Sequence, residues 1–459
     1  MMSCRGSTGL NTPKPTSFLL SVIAGFTLLW LPPSEAAAMS TPNEIVTPGG
    51  VTVWHVEDNT NPLISVSFAF RGGVSQDAPD KAGTTNMMVS LLDEGAGDLD
   101  SLAFKKRLRD TAVQLSFTAG KDTINGSLST LSTRKQDAFD LLRLALTEPR
   151  FDEEPVERVR NQIAVSIRRG RTDPQTIAGE AFRVAVFGEH PYGRDRMGTE
   201  ESVAAITRDD LVGAHRRLIA RDNLYVAVVG DIDAEALASW VDKAFSALPE
   251  SAELENLEDV QPVQEAKIEI IDMDVPQAAI QFGLPGLKRD HPDFITAFVV
   301  NHIFGGGSFS SRLFNEVREQ RGLAYSVFSQ LWPLDHAGVV AGGAGTENAR
   351  VKEALEVIYA ELAKMAAEGP TEEELEKAKQ FMTGSFALRF DSSSSIARQL
   401  LGQQLDNLGI DYIERRNDLI RAVTIEDARR VARELYDPAH LKITVVGQPE
   451  GDLSAVIGG

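Results

Sequence analysis

Apolar and polar positions along this chain follow a helical period and then a strand period, and they do so twice in the same order. Residues 206–230 (ITRDDLVGAHRRLIARDNLYVAVVG) set apolar side chains at helical spacing, turn, and finish in an alternating run closed by glycine. Residues 423–447 (VTIEDARRVARELYDPAHLKITVVG) align with them without a gap, so that Thr207, Leu218, Leu224 and Gly230 fall on Thr424, Leu435, Leu441 and Gly447. In both copies an aspartate, Asp210 or Asp427, follows the threonine by three residues, the spacing of a reciprocal helix cap. Two further pairs keep the order. The alternating run 64–70 (ISVSFAF) answers 278–284 (AAIQFGL), and 151–162 (FDEEPVERVRNQ) answers 369–380 (GPTEEELEKAKQ), where Thr371 and Glu374 make another capping box. Within a helix predicted over 371–390, Leu375, Ala378, Phe381 and Met382 share one face and are expected in the core.

A duplication at this spacing predicts two similar lobes and not a solenoid. At 459 residues the chain is too long for a single core. Helices separate the strands, and several strands alternate as half-exposed ones do. The expected class is therefore α+β: two homologous lobes, each a mostly antiparallel sheet with helices packed on one face. The stretch 248–264 holds two prolines and five acids and reads as a linker between lobes at 39–247 and 265–459. Ahead of the first lobe, Arg5 and Lys14 precede an apolar run at 18–31 and the small residues Ala36, Ala37 and Ala38. That is the pattern of a secretory signal peptide over 1–38, and the run is short for a membrane span.

Composition narrows the function. Removing 1–38 takes away Arg5, Lys14 and Glu35, and changes the net charge from −20 to −21. A chain this acidic has no basic face for nucleic acid. Its charge serves solubility and would tolerate cationic peptides. Cys4, the only cysteine, lies in the segment to be removed, so disulfides, thiol catalysis and cysteine-ligated metals are excluded from the mature protein.

Candidate chemistry concentrates in 304–328, FGGGSFSSRLFNEVREQRGLAYSVF. Glycines and serines lead into an amphipathic helix predicted over 311–320, with Arg318 in its last turn. Gly322 then lets the chain reverse, and Tyr325 opens a strand. No lysine follows the FGGGS run as a phosphate loop requires, and its glycines suit a close approach of helix and loop. They also suit an extended peptide added to a strand edge. The seven histidines (55, 190, 215, 291, 302, 336 and 440) include no pair at metal-binding helical spacing, and His302 reads as an ordinary helix residue.

This segment, together with HPYGRDRMGTEESVAAIT at 190–207 and the duplication, resembles the pitrilysin/insulinase family of zinc peptidases (inverzincins) across 45–447. Active members carry His-x-x-Glu-His on a first-lobe helix, with a glutamate further on as third zinc ligand. The matching helix here is AGTTNMMVSLLDEGAG at 82–97. The motif positions fall on Asn86, Val89 and Ser90, which are poor or impossible zinc ligands, and 160–171 contains no carboxylate. Asp93 and Glu94 lie on the same stretch without a histidine beside them. The resemblance therefore implies no zinc in this chain and no peptidase activity from it alone. It also implies that Arg318 and Tyr325, not the adjacent Arg321, reach toward a partner's zinc site as transition-state donors. On that basis the chain is expected to be the non-catalytic half of a clamshell: one subunit of a periplasmic heterodimeric zinc peptidase that degrades peptides, with the zinc on the partner. The alternative is a catalytically inert scaffold of the same fold.

Overall fold

The computed structural model describes residues 41–262 and 265–457, so the expected signal peptide lies outside the described residues. The first lobe is built on β1 (Asn43–Val46), β2 (Thr52–Glu57), β3 (Leu63–Arg71), β4 (Gln114–Ala119), β5 (Thr123–Leu131) and β6 (Leu224–Gly230), in the spatial order β1-β2-β6-β3-β5-β4. The second is built on β7 (Lys267–Asp272), β8 (Gln277–Pro285), β9 (Ser326–Leu334), β10 (Ala337–Glu347) and β11 (Lys442–Gly447), in the order β9-β10-β8-β11-β7. Read from the opposite edge, the second order reproduces the first without β1. Pairing is antiparallel apart from one parallel pair in each lobe, β2 with β6 and β7 with β11. The expected α+β pair of homologous lobes is thus present.

The duplication extends to single residues. Phe68 on β3 faces Gly126 on β5, and Phe282 on β8 faces Gly342 on β10. A Cβ on either glycine would fall 2.0 or 2.2 Å from the facing ring, so each ring lies flat over a position only glycine can fill. β6 and β11 both close on glycines at positive φ, Gly230 at 144° and Gly447 at 151°. The predicted caps form: Thr207 with Asp210 and Thr371 with Glu374 bond reciprocally, and the Thr424 side chain accepts from the Asp427 N–H.

Each lobe has its own core, one running from Val51 to Leu248 and one from Ala278 to Val456. Each lobe also lends a helix to the other. Helix Pro174–Phe187 of the first lobe lies on β8 and β11, where Ala178 packs with Ala279 and Val446, and Phe182 and Val186 pack with Val339 and Ala341. Helix Ser393–Leu405 of the second lobe lies on β3 and β6, and Gln404 Nε2 donates to Val226 O at 2.9 Å. This exchange corrects the expectation of half-exposed strands. β3 and β11 are buried along nearly their whole length because their second face is covered from the other half of the chain.

Residues 249–262 are held against both lobes. Gln76 brackets Glu255, donating to its carbonyl at 3.1 Å and accepting its N–H at 2.7 Å. The Val260 N–H donates to His336 O at 2.9 Å, and Asp259 pairs with Lys288 at 2.7 Å. Tyr192 of the HPYG turn is fully buried between the lobes. Its hydroxyl donates to Asp122 Oδ1 at 2.6 Å and accepts the His336 N–H at 3.0 Å.

Two local expectations change. The helix predicted over 311–320 is a short wide turn, Phe314–Glu319, in which the Gln320 N–H reaches back five residues to Asn315 O. A similar wide turn, His302–Gly306, extends helix Phe294–Asn301 into the glycine run. The helix predicted over 371–390 ends at Gly384; Leu375, Ala378 and Met382 are buried, but Phe381 is 59% exposed and stacks on His302 at 5.3 Å.

Candidate functional site

The positions that match the zinc motif lie on the short helix Thr84–Val89. Asp77 anchors its start by accepting from the Gly83 N–H at 3.0 Å, the Thr85 N–H at 3.1 Å and the Thr85 hydroxyl at 2.5 Å. Asn86 is half-buried. Val89 is 2% exposed and belongs to the first-lobe core with Met87 and Met88. Ser90 is exposed, and its hydroxyl donates to Asn86 O at 2.8 Å. The two nearby acids differ in accessibility, and neither has a histidine partner. Asp93 is half-buried. Glu94 is buried and accepts from Arg158 at 3.2 and 2.6 Å, from Ser101 at 2.5 Å, and from Lys105. Burial alone would push the Glu94 carboxyl up; these donors outweigh it and hold it at about 2. Helix Glu153–Gly170, where the resemblance puts the third ligand, ends in arginines. Among the described residues no group of three or more His, Cys, Asp or Glu could hold a metal. The side chains present do not fit zinc: a valine fills the place of the general base, and the remaining positions offer only a neutral amide and a hydroxyl.

The family-like segments around this helix serve packing. A Cβ on Gly198 would fall 2.0 Å from Ala82 O, and the Ser202 hydroxyl donates to that carbonyl at 2.7 Å. The segment 190–207 therefore braces the start of the altered helix and, through Tyr192, joins the lobes.

In the second lobe the structure sorts three arginines that look alike in sequence. Arg312 is bidentate to Glu374, at 2.7 Å for each bond, and also donates to Gly369 O at 3.0 Å, tying the motif to a neighbouring helix start. Arg321 pairs with Glu316 at 2.6 Å. Arg318 has no carboxylate within ion-pair distance among the described residues. It sits between two rings, 4.9 Å from Phe314 and 4.7 Å from Tyr325, and its Nη1 donates to Tyr325 O at 2.7 Å. Gly322, at φ 60°, reverses the chain between them. Tyr325 is 81% exposed, although it stands at the start of an edge strand whose neighbours Leu323, Ala324 and Val327 are buried. A guanidinium and a phenol thus meet at the surface, both with donors to spare.

The glycines of 305–307 act as spacers. A Cβ on Gly305 would lie 2.7 Å from the Ser329 amide nitrogen, and one on Gly307 2.6 Å from His302 O. What the sequence did not reveal is a cavity of about 760 Å3 beneath this run, bounded by Phe298, Phe309, Phe381, Gln403 and Arg416. Its walls come from four separate segments, so no local pattern announces it.

Comparison with known proteins agrees with this geometry. Residues 52–200 match the family described as insulinase (peptidase family M16), and residues 205–382 match the peptidase M16 inactive domain. The chain is 26% identical over 347 residues to the non-peptidase homolog YmxG of Helicobacter pylori, covering 75% of this chain and 80% of that protein. It is 29% identical over 361 residues to an uncharacterized zinc protease of Mycobacterium leprae, covering 74% and 79%. The crystal structure of a peptidase M16 inactive domain from Pseudomonas fluorescens superposes with a TM-score of 0.84 at 26% identity, covering 89% of this chain and 98% of that one. With matching halves in order and a shared fold, this chain belongs to the peptidase M16 (insulinase) family.

Proposed function

We propose that this protein is the non-catalytic subunit of a two-chain zinc peptidase and that it lends Arg318 and Tyr325 to the active site of a zinc-bearing subunit of its own family. The observation that carries this reading is the contrast among the retained motif residues. Arg312, Tyr192 and Gly198 each have a packing or bonding role that the fold alone explains. Arg318 and Tyr325 have none that requires both, and an exposed tyrosine held against an unpaired guanidinium at a strand edge is kept for something outside the chain. A phenol O–H and a guanidinium aimed at the scissile carbonyl would stabilise the oxyanion that forms as water adds to it. Zinc and general base would both come from the partner, in a chamber closed between the two chains and open to unfolded peptides. Export to the periplasm through residues 1–38 belongs to the same reading.

The test is affinity capture of the tagged chain from native envelope extract, with mass spectrometry of what accompanies it. The proposal expects a stoichiometric family member carrying His-x-x-Glu-His. Recovery of the chain alone, or only with complexes lacking a peptidase, would favour an inert scaffold.

A further inference from the structure

The cavity beneath the glycine run is chemically unlike the rest of this acidic chain. Its apolar walls are rich in phenylalanine: Phe294, Phe298 and Phe386 line it beside Ile295, Leu331 and Met382, and the exposed Phe309 and Phe381 stand at its mouth. Its charged lining comprises four arginines and one acid, Asp406. That acid is already engaged by Arg289 at 3.2 Å, and Arg289 also donates to the Tyr412 hydroxyl at 3.1 Å. Arg389, Arg398 and Arg416 have no carboxylate within ion-pair distance among the described residues.

Arg416 is the unusual member. It is only 6% exposed, lies over the Phe386 ring at 4.1 Å, and donates to Met382 O at 3.2 Å and Asn417 Oδ1 at 3.0 Å, both neutral acceptors. Burial lowers its pKa to about 10, below the ordinary arginine value; Tyr412 works against this shift and the cation Arg389 adds to it. A buried guanidinium facing neutral groups is costly unless something anionic completes it. Gln403, also in the lining and 5% exposed, holds its side-chain carbonyl buried, with no donor among the described residues. A wall with one uncompensated buried cation and one orphaned acceptor calls for a ligand that brings a negative group and an N–H or O–H.

We propose that this cavity binds the carboxylate of an apolar or aromatic ligand, with the carboxylate on Arg416 and Arg398 and the apolar body among Phe298, Phe309 and Phe381. The chemistry is shared by the C-terminal residue of a peptide and by a free carboxylic acid. The peptide form also supplies the N–H that Gln403 lacks. At about 760 Å3 the space suits a ligand of tripeptide size. This site is independent of the Arg318–Tyr325 pair, so neither reading stands or falls with the other.

The test is calorimetric titration of the purified chain with two matched pairs: acetyl-Ala-Ala-Phe against its C-terminal amide, and octanoate against octanol. The proposal expects at least one acid to bind roughly 10-fold or more tightly than its neutral counterpart, and the pair that discriminates identifies the source of the ligand. Arg416→Gln should weaken that binding by roughly 10- to 100-fold. Because Arg416 is buried, Arg398→Gln at the exposed rim is the companion variant; it should weaken binding roughly 3-fold with an unchanged unfolding temperature. Failure of both acids to saturate, equal binding of the neutral counterparts, or affinity untouched by both substitutions would overturn the proposal.

Discussion

At the scale of single residues, Val89, the position that the family resemblance aligns with the general base, is core: 2% exposed and packed among Met87, Met88 and their neighbours. Putting a glutamate back would bury a carboxylate with no partner. Val89→Glu is therefore expected to destabilise the chain by about 2–4 kcal/mol in urea unfolding, and not to restore zinc binding. Unchanged stability would mean that the helix is more open than its burial indicates. Arg312 makes the complementary case. Burial alone would push the Glu374 carboxyl up, but Arg312 and the Thr371 N–H outweigh it and hold it at about 2. A carboxyl lowered on folding stabilises the chain above its ordinary value, and that contribution fades as pH falls from about 4.5 toward 2. Arg312→Ala should thus cost about 2–3 kcal/mol at pH 7, and less at pH 3, in the same unfolding measurement. A cost that stays level with pH would show that the loss is one of packing alone. Composition and helical pattern do not separate Arg312 from Arg318; the resemblance singled out Arg318 by its spacing to Tyr325. Both arginines stand in a basic, amphipathic run, and their partners, Glu374 for one and two aromatic rings for the other, tell them apart.

At the scale of elements, local signals read well and distant ones did not. The capping threonines, the closing glycines Gly230 and Gly447, and the helix–strand order were legible because each is decided within a few residues. The exchanged helices were not. Helix Pro174–Phe187 and helix Ser393–Leu405 show ordinary amphipathic patterns that say one face is buried without saying against which sheet. The same ignorance misplaced Phe381, whose helical spacing fits a core position but whose ring stacks on His302 at a cavity mouth. The exchange has a direct consequence. The first lobe expressed alone, residues 39–247, would expose the face of β3 and β6 that Ser393–Leu405 covers. It should fail to give a soluble folded monomer, whereas adding residues 265–459 as a separate chain should rescue it. A stable, dispersed amide NMR spectrum from the isolated first lobe would contradict this account of the packing.

At the scale of the whole molecule, the two lobes are joined at several places. Tyr192, Asp122 and His336 join them, residues 249–262 are pinned to both, and each sheet is finished by the other half of the chain. The chamber proposed above would close between this chain and a second one. What a second chain would find here is the surface formed by Arg318 and Tyr325. The most direct test is steady-state turnover of an unstructured peptide by the assembled pair, comparing the native chain with Arg318→Ala/Tyr325→Phe at equal assembly and equal zinc content. The account predicts that kcat falls by roughly 10²-fold or more in the double variant while the pair still forms, as expected for donors that act on the transition state. Unchanged kcat in an intact pair would contradict it and leave the chain as a scaffold.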